Sequence, residues 1–265
     1  MKRGRNRRRG VRRGVLAWLG LLLMAVSLIW LQRLSRSTQS LATTRQLAPT
    51  SFSGLVVLDP GHGGNDSGAM CGNVLEKDLT LDLAKRVERL AHEQGLETML
   101  TRDRDRFVSL ASRAALANRQ SDCILVSLHF NDGLKTTSNG IETYYSPQQS
   151  VRSVASWLPF LQTASSQSPN FLSQSLAGFI QDALVLRTEA TNRGTKTEQF
   201  YVIANVRHPA VLVEGGFLTN QSDAARISSE NYREKMAGAI CEGIIHYRDA
   251  TRRPQTTLAT TASGG

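Results

Sequence analysis

The stretch VVLDPGHGGNDSGA, Val56–Ala69, decides the fold. A short apolar run ends in Asp-Pro and hands over to a histidine held between glycines. Such a run, β-branched and abruptly stopped, reads as a buried strand. The glycines after it let the backbone bend and keep the space beside His62 clear. The next segment, EKDLTLDLAKRVERLAHEQG, places Leu79, Leu83, Val87 and Leu90 at helical spacing and stops at Gly95. Strand, glycine-rich loop and helix thus follow one another at once.

The same rhythm continues. LETMLTR and CILVSLHF read as strands, separated by a helix, SLASRAALANRQ, that Ser109 opens. GIETYYS, FYVIAN and AVLVEGG read as further strands. LSQSLAGFIQDALVLR and SSENYREKMAGAICEGIIHYRDA read as helices. This alternation predicts an α/β fold, one domain with a largely parallel sheet and helices on both faces. Residues 146–172 interrupt it. They are long for a connection and contain the apolar WLPFL, Trp157 to Leu161, and read either as a surface excursion or as a lid bordering the site.

The net charge of +10 suggests nucleic acid until its distribution is examined. Eleven of the 32 Lys and Arg residues and none of the 22 acids precede Asp59, so the body of the chain is almost neutral. No basic binding face follows, and nucleic acid is not an expected partner. Eight cations instead precede an uncharged run from Val15 to Leu31. Seventeen residues of helix span about 26 Å, close to the hydrocarbon thickness of a bilayer. The run lacks a small-residue exit, which favours a retained signal-anchor over a cleaved signal peptide. The expected organisation is a basic cytoplasmic segment (1–13), a transmembrane signal-anchor (14–31), a flexible linker (32–53), the catalytic domain (54–248) and a disordered tail (249–265). The body then lies on the extracytoplasmic side of a bacterial membrane. Cys71, Cys123 and Cys241 are too few and too scattered for a disulfide framework. Cys123 and Cys241 read as buried packing residues, whereas Cys71 stands in the glycine-rich loop near the expected site.

In open α/β sheets, ligands bind beyond the carboxyl ends of strands. There the sequence places His62, His129 and Glu214, and Glu76 opens the first helix. Singly, each has an ordinary explanation: a surface histidine, a loop carboxylate, an acid favoured at a helix start. Jointly they form a zinc-type set, two imidazoles and a carboxylate with an open position, and a second carboxylate to spare. Asp59 reads either as a turn former or as a partner that orients a ligand histidine. Glu142 reads as strand-edge structure more readily than as a further active-site carboxylate.

Seven segments then carry a resemblance. LDPGHGGNDSGA, LEKDLTLDLAKRVERL, LTRDRDRFVSLASRAALAN, SLHFND, GIETYY, FYVIAN and PAVLVEGGFLTN stand in the order found in zinc-dependent N-acetylmuramoyl-L-alanine amidases, the cell-wall amidases of the division and sporulation type. The similarity runs from about Gly54 to Tyr247. It implies a mixed, mostly parallel sheet of about six strands. It also implies hydrolysis of the amide between N-acetylmuramic acid and L-alanine of peptidoglycan, with one Zn²⁺ per chain. Carried onto this sequence, it makes His62, Glu76 and His129 the metal ligands and Glu214 the catalytic carboxylate. Arg102, Arg113 and Asn118 match an LTR…R…AN pattern and are expected to make structural hydrogen bonds. Phe130, where the family usually has a small residue, implies a narrower groove, and Arg193–Lys196 departs from the family's Arg-Gly-Val-Lys. Two other readings remain: a zinc peptidase cutting within the stem peptide, and a membrane-tethered wall-binding or regulatory protein. A protein activator is not identifiable from the sequence.

Overall fold

The structure is a computed structural model that describes residue 52 and residues 54–148 and 170–251. The expected N-terminal segment, anchor, most of the linker, residues 149–169 and residues 252–265 lie outside the described residues. Among the described residues no helix is long and apolar enough to cross a membrane.

The described residues form eight strands and six helices. They are β1 (Leu55–Pro60), β2 (Met70–Cys71), β3 (Val74–Leu75), α1 (Glu76–Glu93), β4 (Glu97–Leu100), α2 (Leu110–Asn118), β5 (Ile124–Asn131) and β6 (Ile141–Tyr145). Then come α3 (Phe171–Thr188), β7 (Asn192–Thr197), α4 (Tyr201–Ala204), β8 (Ala210–Phe217), α5 (Gln221–Ser228) and α6 (Glu230–Thr251). Six strands form one sheet in the order β4-β1-β5-β8-β6-β7, and β2 and β3 form a small separate hairpin. Strands β4, β1, β5 and β8 run parallel; β6 is antiparallel to β8 and parallel to β7. The sheet is therefore mixed and mostly parallel, as expected.

Period-two alternation divides the strands between two cores. Val56 and Leu58, Ile124, Val126, Leu128 and Phe130, and Val211 and Val213 face one side, where they pack with α1, α3 and α6. Val57, Leu125, Ala210 and Leu212 face the other, against α2 and α4. The polar residues Asp59, Ser127, His129 and Glu214 continue this second face towards the carboxyl ends of their strands. There a cleft of about 800 Å³ opens, with residues of α2 and α4 among its walls.

Two assignments are corrected. FYVIAN is a single turn of helix, α4, and not a strand. Its Val202 and Ile203 are buried against Val57, Leu125 and Leu212, so its apolar residues serve helix-on-sheet packing. The sixth strand is instead NRGTKT, a mostly exposed edge strand with no apolar pattern to betray it. Helix α6 also runs to Thr251, past the expected domain end, and α3 begins at Phe171, capped by Asn170.

Candidate active site

Each functional side chain is delivered by the end of an element. His62 follows β1 and has φ +58°, in the left-handed region that non-glycine residues seldom occupy. Glu76 is the first residue of α1. Carbonyls of the preceding loop cap this helix, as Ala69 O accepts from Glu76 N–H at 2.9 Å and Ser67 O from Lys77 N–H at 3.1 Å. His129 and Glu214 are register partners on β5 and β8, so their side chains leave the sheet on the same face.

The buried Glu76 carboxylate lies between the two imidazoles. Its Oε2 is 3.1 Å from His62 Nε2, and its Oε1 is 3.0 Å from His129 Nδ1. Backbone donors fix it, Ala69 N–H at 2.8 Å and Phe130 N–H at 3.0 Å. One ligand atom from each of His62, Glu76 and His129 lies within 4.8 Å of the others, a spacing that can hold one metal ion. The donor types fit: two nitrogens and one carboxylate oxygen, all from residues that line the cleft. Burial alone would raise the carboxyl pKa of Glu76, but its bonds to His129 and His62 outweigh that and hold it well below the usual carboxylate range. Burial likewise disfavours a charged His62, and the bonds to Glu76 and Asp66 overcome it, leaving its pKa above the ordinary value. A site that stabilises positive charge so strongly suits a cation.

Asp66 is the residue that the sequence reading missed. Its Oδ1 lies 2.8 Å from His62 Nδ1, which leaves Nε2 to face Glu76. The only signal was its place four residues after His62, in a loop whose path the sequence does not specify. Asp59, offered as that partner, does something else. It accepts from Thr101 Oγ1 at 2.5 Å, Ser127 Oγ at 2.8 Å and Arg113 Nη1 at 2.7 Å. It touches neither ring and reaches His62 only through Arg113, which also donates to Pro60 O and His62 O, both at 2.6 Å. Arg102 holds the same loop by Pro60 O at 3.1 Å and Gly61 O at 2.7 Å, and Asn118 donates to Asn205 O at 2.8 Å, as their structural assignment required.

The glycines clear room for protein atoms. A Cβ on Gly61 would lie 2.3 Å from His129 Cε1, and one on Gly68 would lie 2.4 Å from Glu76 Oε2. Both would displace the ligand set. Phe130 packs its ring in the core beside Gly215. Cys123 and Cys241 are buried, with burial pushing the Cys123 thiol up to about 12. Cys71 is exposed on the β2–β3 hairpin and does not line the cleft.

Glu214 differs from Glu76 in its surroundings. Its Oε2 is shielded from solvent and has no hydrogen-bond partner among the described residues. Burial, and then the nearby charges of Glu76 and Glu142, push its pKa well above the ordinary value. Such a group has strong affinity for a proton and no structural bond to lose by taking one. Glu142 is the reverse case. It is Glu214's register partner on β6, yet four donors occupy it: Asn131 Nδ2 at 2.8 Å, the Tyr144 hydroxyl at 2.7 Å, Arg193 Nε at 2.6 Å and Lys196 Nζ.

An α/β sheet with a His–Glu–His donor set at its carboxyl edge and an unengaged carboxylate beside it has the parts of a metal-dependent hydrolase. Comparison with known proteins narrows this. Residues 56–246 match the family model described as N-acetylmuramoyl-L-alanine amidase. The chain is similar to the amidase LytC of Bacillus subtilis, 36% identical over 192 residues that make up 72% of this chain and 35% of LytC. It is similar to the germination-specific amidase of the same organism, 30% identical over 247 residues, 88% of this chain and 94% of that one. The catalytic domain of the amidase CwlV from Bacillus (Paenibacillus) polymyxa has the same fold, with a TM-score of 0.63, 32% identity, and coverage of 74% of this chain and 98% of that domain. The chain belongs to the N-acetylmuramoyl-L-alanine amidase family, and its activity is that of an amidase acting on peptidoglycan.

Proposed function

We propose that the amidase is zinc-dependent, with His62 Nε2, a Glu76 oxygen and His129 Nδ1 as ligands and Glu214 as the catalytic base. The observation that carries this is the contrast between two neighbouring carboxylates, one fixed between imidazoles and one shielded and unpartnered. Zinc at such a site supplies a Lewis acid for the scissile carbonyl and lowers the pKa of a water towards about 7. The chain's own residues do the rest. Asp66 holds His62 in the orientation that turns Nε2 inward. The N–H groups of Ala69 and Phe130 fix the Glu76 carboxylate and stop it from acting as a competing base. Glu214 Oε2 takes the proton of the attacking water and delivers it to the departing L-alanine nitrogen, which leaves as a neutral amine. The cleft walls, Phe107, Leu110, Phe200 and Tyr201 among them, present exposed apolar surface around that point. The proposed location is the outer side of a bacterial membrane, with residues 14–31 as the retained anchor; the support is the charge and apolar pattern of residues 1–31.

Digestion of purified peptidoglycan, followed by mass spectrometry, tests the reading. Stem peptides with free L-alanine amino termini and intact glycan strands are expected. Chelation should abolish their release and added Zn²⁺ restore it. Cuts inside the stem peptide would favour the peptidase reading, and activity indifferent to chelation would exclude zinc.

A further inference from the structure

Apart from the proposed metal, the cleft's own lining offers an anionic group no free cation. Asp59, Asp66, Glu76, Asp132 and Glu214 all line it. Among the described residues Arg113 is the lining's one Lys or Arg, and it donates to Asp59, Pro60 O, His62 O and Val108 O. The peptide side of a peptidoglycan substrate is nevertheless anionic. Its second residue is a γ-linked D-glutamyl unit whose α-carboxyl is either free or amidated.

Two cations stand just past the lining residue Asn131. Arg193 and Lys196, on β7, both donate to Glu142 Oε2, while Asn131 and Tyr144 occupy Oε1. One carboxylate balances one of the two cations, so the cluster keeps a surplus positive charge. Both heads retain unused donors, since a guanidinium has five N–H bonds and an ammonium three. They are also accessible, with side chains 33% and 37% exposed, although Glu142 beneath them is only 2% exposed. Their placement is fixed by packing: the Arg193 guanidinium lies 4.9 Å from the Phe217 ring centroid, and Lys196 Nζ lies 5.8 Å from that of Tyr144. Register puts Lys196 on the working side of the sheet, and Arg193 reaches that side by its bond to Glu142, the register partner of Glu214. Lys196 pairs with Tyr144, and Tyr144 pairs with Leu212. Leu212 and Glu214 alternate onto the cleft face.

We propose that Arg193 and Lys196, seated on Glu142, form a subsite for the α-carboxylate of the second stem-peptide residue. The proposal rests on the amidase reading. Adjacent strands are about 4.8 Å apart and β7 lies beyond β6, so heads that bond Glu142 from the β7 side stand one strand spacing plus about one hydrogen-bond length, roughly 7 Å, from Glu214. Two extended residues cover about 7 Å, the reach needed from an amide held at Glu214 to a carboxylate held at the two cations. Arg193 offers the paired N–H geometry that carboxylates favour, and Lys196 adds a point charge.

The test uses the full chain and two disaccharide-peptide substrates that differ only at this group, one with D-glutamate and one with its α-amide, D-isoglutamine. The wild-type protein should cleave the free acid with kcat/KM at least about tenfold higher, and added salt should narrow the gap. In the Arg193→Gln/Lys196→Met double variant the ratio should fall towards one, and Arg193→Lys should keep part of it. Loss of fold would lower both rates together and leave the ratio standing, and melting curves of each variant check this. A wild-type ratio near one, or a wild-type ratio preserved in the double variant, overturns the subsite while the amidase activity stands. Cleavage of neither substrate at the lactyl–alanine amide overturns the amidase reading and the subsite with it.

Discussion

His62 keeps a left-handed backbone although it is not glycine, at a cost on the order of 1–3 kcal/mol. The residues around it account for that. Arg113, almost wholly buried, draws in the carbonyls of Pro60 and His62, and Asp66 fixes the ring. Asp66 lies outside the proposed ligand set, so under that proposal its loss should loosen the metal without removing a ligand. We expect Asp66→Ala to weaken zinc binding by about 10–100-fold, the usual worth of such a partner. Competition with a chromophoric chelator measures this, and wild-type affinity in the variant would mean that His62 needs no orienter. Glu214 should behave in the opposite way. Glu214→Gln keeps the shape but cannot accept the water's proton, so zinc should remain bound while turnover falls by about 10² to 10⁴. Metal content and amide cleavage on one preparation decide it. Loss of zinc would make Glu214 a ligand, and an unimpaired enzyme would remove it from the mechanism.

Helix α1 must present Glu76 at a fixed height, and α6 is what it leans on. Leu79, Leu83, Val87 and Ala91 give it the buried stripe, and a charged seam closes the rim. Arg233, largely buried on α6, donates to Asp82 Oδ2 at 2.5 Å and to Ile227 O at 2.7 Å, and Arg86 bridges Asp82 to Glu234. Arg233→Met should cost about 1–2 kcal/mol, discounted because Asp82 is about a third exposed. For a domain of this size that is roughly 2–8 °C in Tm. The seam also sets a pH dependence. Burial raises the Asp82 pKa, but Arg86 and Arg233 outweigh it; Glu234 is lowered chiefly by Arg86. Carboxyls with depressed folded values stabilise the fold above their unfolded pKa, near 4, and lose that contribution as pH falls further. The gap between wild type and Arg233→Met should therefore be full at pH 7 and shrink below about pH 4; a constant gap in melts across that range would show that packing, not charge, holds the seam. The helices and the parallel strands were legible in the sequence because their burial imposes a period. FYVIAN and NRGTKT were not. The first has strand-forming residues that tertiary packing uses in a turn of helix, and the second is an edge strand held by backbone pairing and by polar side chains that carry no apolar period. The four residues at element ends could be read from the sequence, since strand ends are predictable places. Asp66 could not, because only the folded loop brings it to His62.

At the scale of the whole molecule, the distribution of charge separates two jobs. The domain from Asp59 onward is nearly neutral, and its local cation surplus at Arg193 and Lys196 addresses a substrate group; the eight cations before Val15 address something else. We propose that they keep the N-terminus in the cytoplasm while Val15–Leu31 stays in the bilayer as an anchor. Phe52 is buried in the domain core with its ring 6.2 Å from that of Tyr247, so the expected linker is shortened at its domain end; the 20 residues from Gln32 to Ser51, as a flexible chain, would have an end-to-end distance of about 25 Å. Such a tether would confine the amidase to wall close to the membrane. The expected outcomes are concrete. The full-length protein should resist extraction by alkaline carbonate and leave with detergent, whereas a chain lacking residues 1–31 should be released without detergent. That shortened chain should still cleave soluble muropeptides, because every residue of the site lies beyond Asp59. N-terminal sequencing of the membrane fraction decides whether the anchor is retained. A mature chain that begins near Thr38 or later would show that the apolar run is a cleaved export signal, and the confinement of the enzyme would then need another cause.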